Sequence, residues 1–310
     1  MAQTMQPETV LLKSGLAIHP DSPLAKLTTF RVGGNAEWLA LPKTPEQLQE
    51  AIYWGKRQSL AITILGAGSN LLISDAGLPG LIVCTRALRH SEFDLQTGRV
   101  IAAAGEPWSS LAWKAARHGL KGFEWTIGIP GTVGGAVVMN AGAHGGETAD
   151  ILIETAVLDP KGNTTTLKPE DLDYQYRTSN LQGSDRIVTT ATFQLSPGHS
   201  ASAIKAATAE DLKQRRTTQP YHLPNCGSVF RNPPGHSAGR LIQEAGLKGY
   251  QIGQAQISTL HANFIVNLGS AKASSVLALI RHAQAVIKAQ NGIELETEVK
   301  IIGAFDEPDS

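Results

Sequence analysis

Gly128-Ile129-Pro130-Gly131-Thr132-Val133-Gly134-Gly135-Ala136, running on to Asn140-Ala141-Gly142-Ala143, is the densest glycine stretch of the 310-residue chain. Four of its first nine residues are glycine. A bare turn needs one or two residues with φ > 0, whereas clustered glycine lets backbone press close to another surface. Interleaved with Val, Ile and Ala, the stretch reads as the apolar floor of a groove for a flat, phosphate-bearing ligand. A second glycine loop, Gly66-Ala67-Gly68-Ser69-Asn70, follows directly on Ala61-Ile62-Thr63-Ile64-Leu65, a compact apolar run read as a strand. Small residues there let successive backbone N–H groups converge on an anion, with Ser69 and Asn70 as side-chain donors. Alone, this loop reads equally well as a tight turn without a ligand. It fails the G-x-G-x-x-G pattern, because Leu71 takes the third glycine place and Leu71-Leu72-Ile73 reads as strand rather than helix. No Gly-Lys-Ser/Thr occurs, which excludes a P-loop. Two such loops in one domain favour a dinucleotide cofactor over structural coincidence.

Outward from the loops, residues 1–26 read as an irregular lead-in. Thr44-Pro45-Glu46-Gln47 signals a helix start: Thr44 caps, Pro45 suits the first helical position and Gln47 completes a capping box. That helix is expected to run to about Gln58. Strands are expected at Leu81–Cys84, after the turn Gly77–Gly80, and at Gly98–Ala104. A helix opens at Pro107 and closes at Gly119. Thr155–Asp159 and Thr164–Leu167 flank Lys161-Gly162-Asn163 as a hairpin, and Ile187–Leu195 is a further strand. Ser196-Pro197-Gly198-His199-Ser200 reads as a linker. Beyond it, helices are expected at Ala203–Arg216 and Ser275–Gln290; in the latter Val276, Ile280, Ala283 and Ile287 share one face. A last strand is expected over Glu298–Phe305. The resulting division is a lead-in over 1–26, a domain over 27–197 with subdomains at about 27–87 and 88–197, and a C-terminal domain over 198–310.

The bulk composition narrows the function classes. Lys+Arg and Asp+Glu both total 27, which disfavours a nucleic-acid or membrane-surface role carried by a basic excess. Two cysteines, Cys84 and Cys226, form no CxxC pair, so neither a structural metal site nor a disulfide framework is expected. There is no secretory signal pattern at Met1–Lys13 and no apolar run approaching the ~20 residues of a membrane span. A cytoplasmic protein, monomeric and without a metal, is expected.

Several motifs occur in a fixed order: Gly66–Leu72, Gly128–Ala136, Tyr176-Arg177-Thr178-Ser179, Gly227-Ser228-Val229-Phe230-Arg231-Asn232-Pro233, Gly246-Leu247-Lys248-Gly249 and Leu295-Glu296-Thr297-Glu298-Val299. The set resembles the UDP-N-acetylenolpyruvoylglucosamine reductase (MurB) family, within the wider FAD-binding superfamily of vanillyl-alcohol-oxidase, or PCMH, type. The likeness runs from about Thr28 to Gly303. It implies an α+β fold, with a two-subdomain FAD-binding (PCMH-type) module followed by a smaller α+β substrate-binding domain. It further implies non-covalent FAD, NADPH as co-substrate, and reduction of the enolpyruvyl ether of UDP-N-acetylglucosamine to UDP-N-acetylmuramate in peptidoglycan precursor synthesis. By the same resemblance Gly66, Ala67, Gly68, Ser69, Asn70, Leu71, Gly128, Pro130, Gly131, Thr132, Gly134, Gly135, Asn140 and Ala141 hold the cofactor. No extra segment follows Tyr176-Arg177, which points to the shorter (type II) branch. Cys226 stands where alanine is common, and His144 where tyrosine is common. FAD-dependent oxidases of the same wider fold are a rival class, disfavoured because the slot Gly66–Asn70 carries no flavin-linking histidine. A non-catalytic flavin or nucleotide-sugar binder is a second rival, disfavoured by the joint presence of Arg177, Ser228 and Glu298.

Reducing an enol ether conjugated to a carboxylate requires a hydride at the β-carbon, stabilisation of the enolate and a proton at the α-carbon. The resemblance makes Ser228 the proton donor; from the residues alone, a turn serine bonded to nearby backbone is the commoner reading. Arg177 has the fork geometry to grip a carboxylate and favour enolate charge, against the ordinary reading of an exposed ion pair. Glu298 can orient Ser228 or Arg177, against the reading of a solvated edge residue, which Glu294 and Glu296 receive. Asn232 and Arg231 are expected at the substrate. Arg216, with Arg215, faces either the UDP diphosphate or merely the helix dipole.

Overall fold

A computed structural model describes residues 8–305. The first subdomain is built on a five-stranded sheet. Its strands are β1 (Val10–Leu11), β2 (Ala17–Pro23), β3 (Asn35–Ala40), β4 (Ile62–Leu65) and β6 (Leu78–Cys84), in the order β1-β2-β3-β6-β4. β5 (Leu71–Ile73) leaves this sheet. The pairs β3–β6 and β4–β6 are parallel. β6 is buried on both faces, as parallel strands usually are. Leu81 and Val83 pack towards helix α1 (Pro45–Arg57), while Leu78, Ile82 and Cys84 pack the other way. Thr44 caps α1 as expected, accepting from Gln47 N–H, but the Gln47 side chain accepts from Lys43 N–H at 2.8 Å rather than from Thr44, so the expected capping box does not close. The expected irregular lead-in is corrected by β2, which pairs with β3 over Ile18–Pro23. Pro20 and Pro23 mask that strand in the sequence, but they fall beyond the short pairing with β1, where one edge is open and no ladder donor is lost. The first seven residues of the lead-in lie outside the described residues, as do residues 306–310 of the expected C-terminal domain.

The second subdomain is an antiparallel sheet of β7 (Ser91–Phe93), β8 (Arg99–Ala103), β11 (Leu152–Leu158), β12 (Thr164–Leu167) and β13 (Ile187–Gln194), ordered β12-β11-β13-β8-β7. Val100, Ala102 and Ala104 face a core shared with helix α2 (Trp108–Arg117) and a short helix α3 (Val133–Met139). The sequence reading of 128–136 as an apolar groove floor assigned no helix there, because Gly134 and Gly135 are poor helix formers. Gly134 is required there: a Cβ on it would approach Ala104 Cβ to 3.0 Å. The small hairpin β9 (Gly142–Ala143) and β10 (Gly146–Glu147) and helix α4 (Thr148–Ile151) follow.

Helix α5 (Ala201–Thr218) falls on the C-terminal side of the expected linker, yet it packs on α2 and the turn Glu124–Thr126 of the second subdomain. Ile204 and Thr208 are buried, and Leu212 adds to the α2 core, so the contact stripe runs at i, i+4, i+8. The remaining unit comprises α6 (Ala238–Glu244), a meander β14 (Gln251–Ile252), β15 (Ala255–Ile257), β16 (Ile265–Asn267), and α7 (Ala273–Asn291). α7 buries Val276, Ile280, Ala283 and Ile287 and stops at Gly292 with φ 69°. The final strand, β17 (Lys300–Ile302), is shorter than the expected Glu298–Phe305 and pairs parallel to β5. Phe30, Val32 and Leu72 join the same core as α6 and α7, so the C-terminal unit is fused to the first subdomain.

Candidate active site

One cavity of about 1440 Å³ runs between the two glycine loops and the C-terminal unit. That exceeds the roughly 300–1,000 Å³ of a pocket for a single drug-sized ligand. Gly66 to Leu71 line one wall. Gly128, Pro130, Gly131, Thr132, Gly134, Gly135 and Ala141 line another. The loops touch: Ser69 Oγ donates to Pro130 O at 3.0 Å, and a Cβ on Gly66 would lie 2.7 Å from Thr132 Oγ1. Any side chain at 66 would therefore close the cradle. Thr132 Oγ1 is buried with no partner. Among the described residues, the N–H groups of Ala67, Gly68 and Ser69 also find no protein acceptor.

Arg177 sits at the tip of a tight turn in which Gln175 and Thr178 exchange backbone hydrogen bonds at 3.1 and 3.0 Å. Its φ is +57°, a left-handed conformation costing a non-glycine residue roughly 1–2 kcal/mol. The turn holds that strain through its surroundings. Arg177 Nε donates to Glu298 Oε1 at 3.1 Å, and Nη2 donates to Gly142 O at 2.6 Å. Asn140 lies beneath. It is fully buried, caps α3 with φ 43°, donates to Gln175 O at 3.2 Å and accepts from Ala149 N–H at 3.0 Å. Asn140, expected at the cofactor, also supports the Arg177 turn, with one amide N–H and one lone pair of its oxygen engaged by backbone.

Glu298 comes from the segment before β17. Residues 229–231 and 296–298 run antiparallel: Glu298 N–H donates to Val229 O at 2.8 Å and Arg231 N–H to Glu296 O at 2.9 Å. Asn70 Nδ2 donates to Glu298 O at 3.0 Å, tying the first glycine loop to the carboxylate. Burial pushes the Glu298 carboxyl above its usual range, against Arg177 and, more weakly, Arg231. Ser228 precedes Val229 on the cavity wall, in a turn pinned by Gly227 N–H to Asn225 Oδ1 at 2.9 Å and by Val229 N–H to Asn263 O at 2.8 Å. Arg177, Ser228 and Glu298 therefore line one cavity although they lie on separate segments of the chain.

Three residues expected at the substrate lie outside the cavity lining. Arg216 is exposed on α5 and does not line the cavity, whereas Arg215, one residue earlier on the helix, does. Arg215 Nε donates to Tyr221 OH at 3.0 Å, and that hydroxyl donates to Gly128 O at 2.6 Å. Asn232 lies outside the cavity lining and its Oδ1 accepts from Ala238 N–H at the start of α6. Arg231 also lies behind the lining, with Nη2 3.5 Å from Arg177 O and Nε buried without a partner. Sequence reasoning missed Arg86, Tyr221 and Lys300, which line the cavity from outside any recognisable motif. His144 is exposed at the β9–β10 tip. Cys226 is buried in the wall, its thiol pushed well above the usual range by burial and by the Glu298 charge. No helix among the described residues is long and apolar enough to cross a membrane.

Residues 219–302 match the family model of the UDP-N-acetylenolpyruvoylglucosamine reductase C-terminal domain, and residues 36–168 match that of an FAD binding domain. The UDP-N-acetylenolpyruvoylglucosamine reductase of Trichormus variabilis is 56% identical over 282 residues, spanning 91% of this chain and 85% of that protein. That of Synechocystis is 52% identical over 301 residues, spanning 96% and 95%. This chain belongs to the UDP-N-acetylenolpyruvoylglucosamine reductase family. The crystal structure of the reductase (MurB) from Thermus caldophilus agrees at a TM-score of 0.77 and 38% identity, covering 92% of this chain and 98% of that one.

Within this reductase family the two glycine loops are the place to test for a flavin dinucleotide, and the residues present fit one. Unused N–H groups, an unpartnered buried threonine hydroxyl and a side-chain-free cradle are the donor set for a diphosphate. Gly66 to Asn70, with Gly131 and Thr132, would hold it. The carboxylate–guanidinium pair of Glu298 and Arg177 lies directly beside these loops, bonded to Asn70 and Gly142.

Proposed function

We propose that this protein reduces UDP-N-acetylglucosamine enolpyruvate to UDP-N-acetylmuramate, using NADPH through non-covalently bound FAD. The observation that carries this reading is that Arg177, Ser228 and Glu298 line one cavity together with both glycine loops. FAD, held by Gly66 to Asn70 with Gly131 and Thr132, would supply the hydride chemistry between NADPH and the enolpyruvyl group.

Arg177 grips the substrate carboxylate and stabilises negative charge as the enolate develops. It is held for this by Gly142 O and Glu298, so little reorganisation accompanies the reaction. Glu298 fixes the guanidinium. The Ser228 hydroxyl, with no protein partner among the described residues, delivers the proton to the α-carbon. A hydroxyl is a weak acid at neutral pH, so the step requires tuning of Ser228 or a proton relay to it. NADPH and the enolpyruvyl substrate enter the cleft in turn. The unit that binds substrate begins at about residue 219 rather than 198, in keeping with the packing of α5. The protein acts as a cytoplasmic monomer.

The test is spectroscopic. Purified protein should carry a flavin absorbance band, and NADPH should be consumed in proportion to added enolpyruvyl substrate. NADPH loss independent of that substrate refutes the reading. Ser228→Ala should leave flavin reduction by NADPH intact and slow reoxidation by substrate about 10²- to 10⁴-fold, the range of one acid–base group. Equal slowing of both half-reactions would make Ser228 structural.

A further inference from the structure

Four of the five carbonyls of the first glycine loop, those of Gly66, Ala67, Gly68 and Asn70, have protein partners. Cys84 Sγ lies 3.8 Å from Gly66 O. Arg86 Nη2 donates to Ala67 O at 3.3 Å. Thr29 N–H donates to Gly68 O at 3.1 Å, and Lys300 N–H to Asn70 O at 3.0 Å. In a trans peptide the carbonyl of one residue and the N–H of the next point in opposite directions. Holding the oxygens of Gly66, Ala67 and Gly68 behind the loop therefore turns the N–H groups of Ala67, Gly68 and Ser69 to its other side. Those are the N–H groups without a protein acceptor among the described residues.

Arg86 is the charged member of this set. It follows β6 and is half-buried. Its Nη2 also donates to Leu27 O at 2.7 Å, so one guanidinium clamps the loop to the segment beneath it. Its Nε is buried without a partner. Among the described residues no carboxylate pairs with it, although it lines the cavity. A half-buried guanidinium without a counter-charge is unfavourable in the empty protein. An anion at the loop N–H groups would supply that counter-charge.

We propose that Arg86 is a positioning residue for the diphosphate of the dinucleotide: it holds the loop with its N–H groups towards the ligand and sets a fixed positive charge behind them. This rests on the FAD reading above and assigns a role to a residue outside both glycine motifs. Arg86→Met keeps the length and apolar stem and removes fork and charge. Arg86→Lys keeps the charge but not the planar fork.

The experiment titrates FAD into the flavin-stripped full chain by fluorescence quenching, with inorganic pyrophosphate as competitor, and records the melting temperature of each stripped variant. Arg86→Met should weaken FAD about 10- to 100-fold, the equivalent of one or two charged hydrogen bonds. It should weaken pyrophosphate competition by a similar factor, with Arg86→Lys in between. Unchanged FAD affinity in Arg86→Met overturns the proposal. So does weakened FAD with unaltered pyrophosphate competition, or failure of pyrophosphate to compete in the wild type. A wild-type chain that takes up no FAD would instead sink the functional reading itself.

Discussion

Replacing Arg177 by Met tests the electrostatic core of the site. Two interactions are lost at once. One is the bond to Gly142 O, worth about 1–2 kcal/mol and independent of pH. The other is the pair with Glu298, whose partners are 21% and 16% exposed. Breaking a fully buried pair costs about 3–5 kcal/mol; with this residual solvation about 2 kcal/mol is expected. That second loss depends on pH. The Glu298 carboxyl is already raised by burial, with Arg177 the largest opposing influence. A raised carboxyl contributes stability below its unfolded value of 4.5 and loses it as pH rises through its folded value. Without Arg177 the folded value climbs further, so the gap opens as pH rises from the wild-type folded value to the higher one of the variant. The stability gap between wild type and Arg177→Met should be about 1–2 kcal/mol near pH 4, where Glu298 is protonated in both, and about 3–4 kcal/mol near pH 8. In a Glu298→Gln background the same substitution should cost the smaller amount at every pH. The assay is denaturant unfolding of the four proteins of this double-mutant cycle across pH 4–8. A gap that is flat with pH, or equal in both backgrounds, would refute the coupling. In turnover, Arg177→Met should lower kcat about 10²- to 10³-fold through lost enolate stabilisation, while reduction of the flavin by NADPH is retained.

Three further outcomes follow from the packing. Gly68→Ala places a Cβ against the Leu27 carbonyl at a φ of +63°; the purified protein should lose its flavin absorbance and about 1–3 kcal/mol of stability. Cys226 and Cys84 are buried with raised thiol pKa, so a thiol reagent at pH 8 should label neither until the chain is unfolded; Cys226→Ala should retain activity. Asp75 accepts from Ala273 and Ser274 N–H at 2.8 and 2.9 Å, capping α7 from the first subdomain. Asp75→Ala should cost about 1–2 kcal/mol. Burial raises that carboxyl, but the two N–H donors and Lys272 together hold it below 3.8. Its stabilisation is therefore present above its unfolded value, and the gap to wild type should close as pH falls through the lower folded value.

Local signals carried much of the fold. Thr44, Pro45 and Gln47 announce α1 because capping is decided within four residues. The 276/280/283/287 stripe announces α7 because helix periodicity is local. The two glycine loops announce the dinucleotide wall because each needs only its own backbone freedom. What the linear chain left open is decided by groups brought together across large sequence separations. Whether α5 belongs in front or behind depends on which core receives Leu212 and on its packing against α2. Whether Asn140, Arg231 and Asn232 meet a ligand depends on what else claims their polar atoms, and backbone partners claim most of them. Arg86 carries no motif at all, since its function lies in carbonyls 19 and 59 residues away. The sequence by itself determined the apparatus for a dinucleotide and the residues capable of proton and charge chemistry. Only the tertiary structure decided which of them share one cavity, because burial and exclusive hydrogen bonding, unlike periodicity, are properties of the whole packed chain.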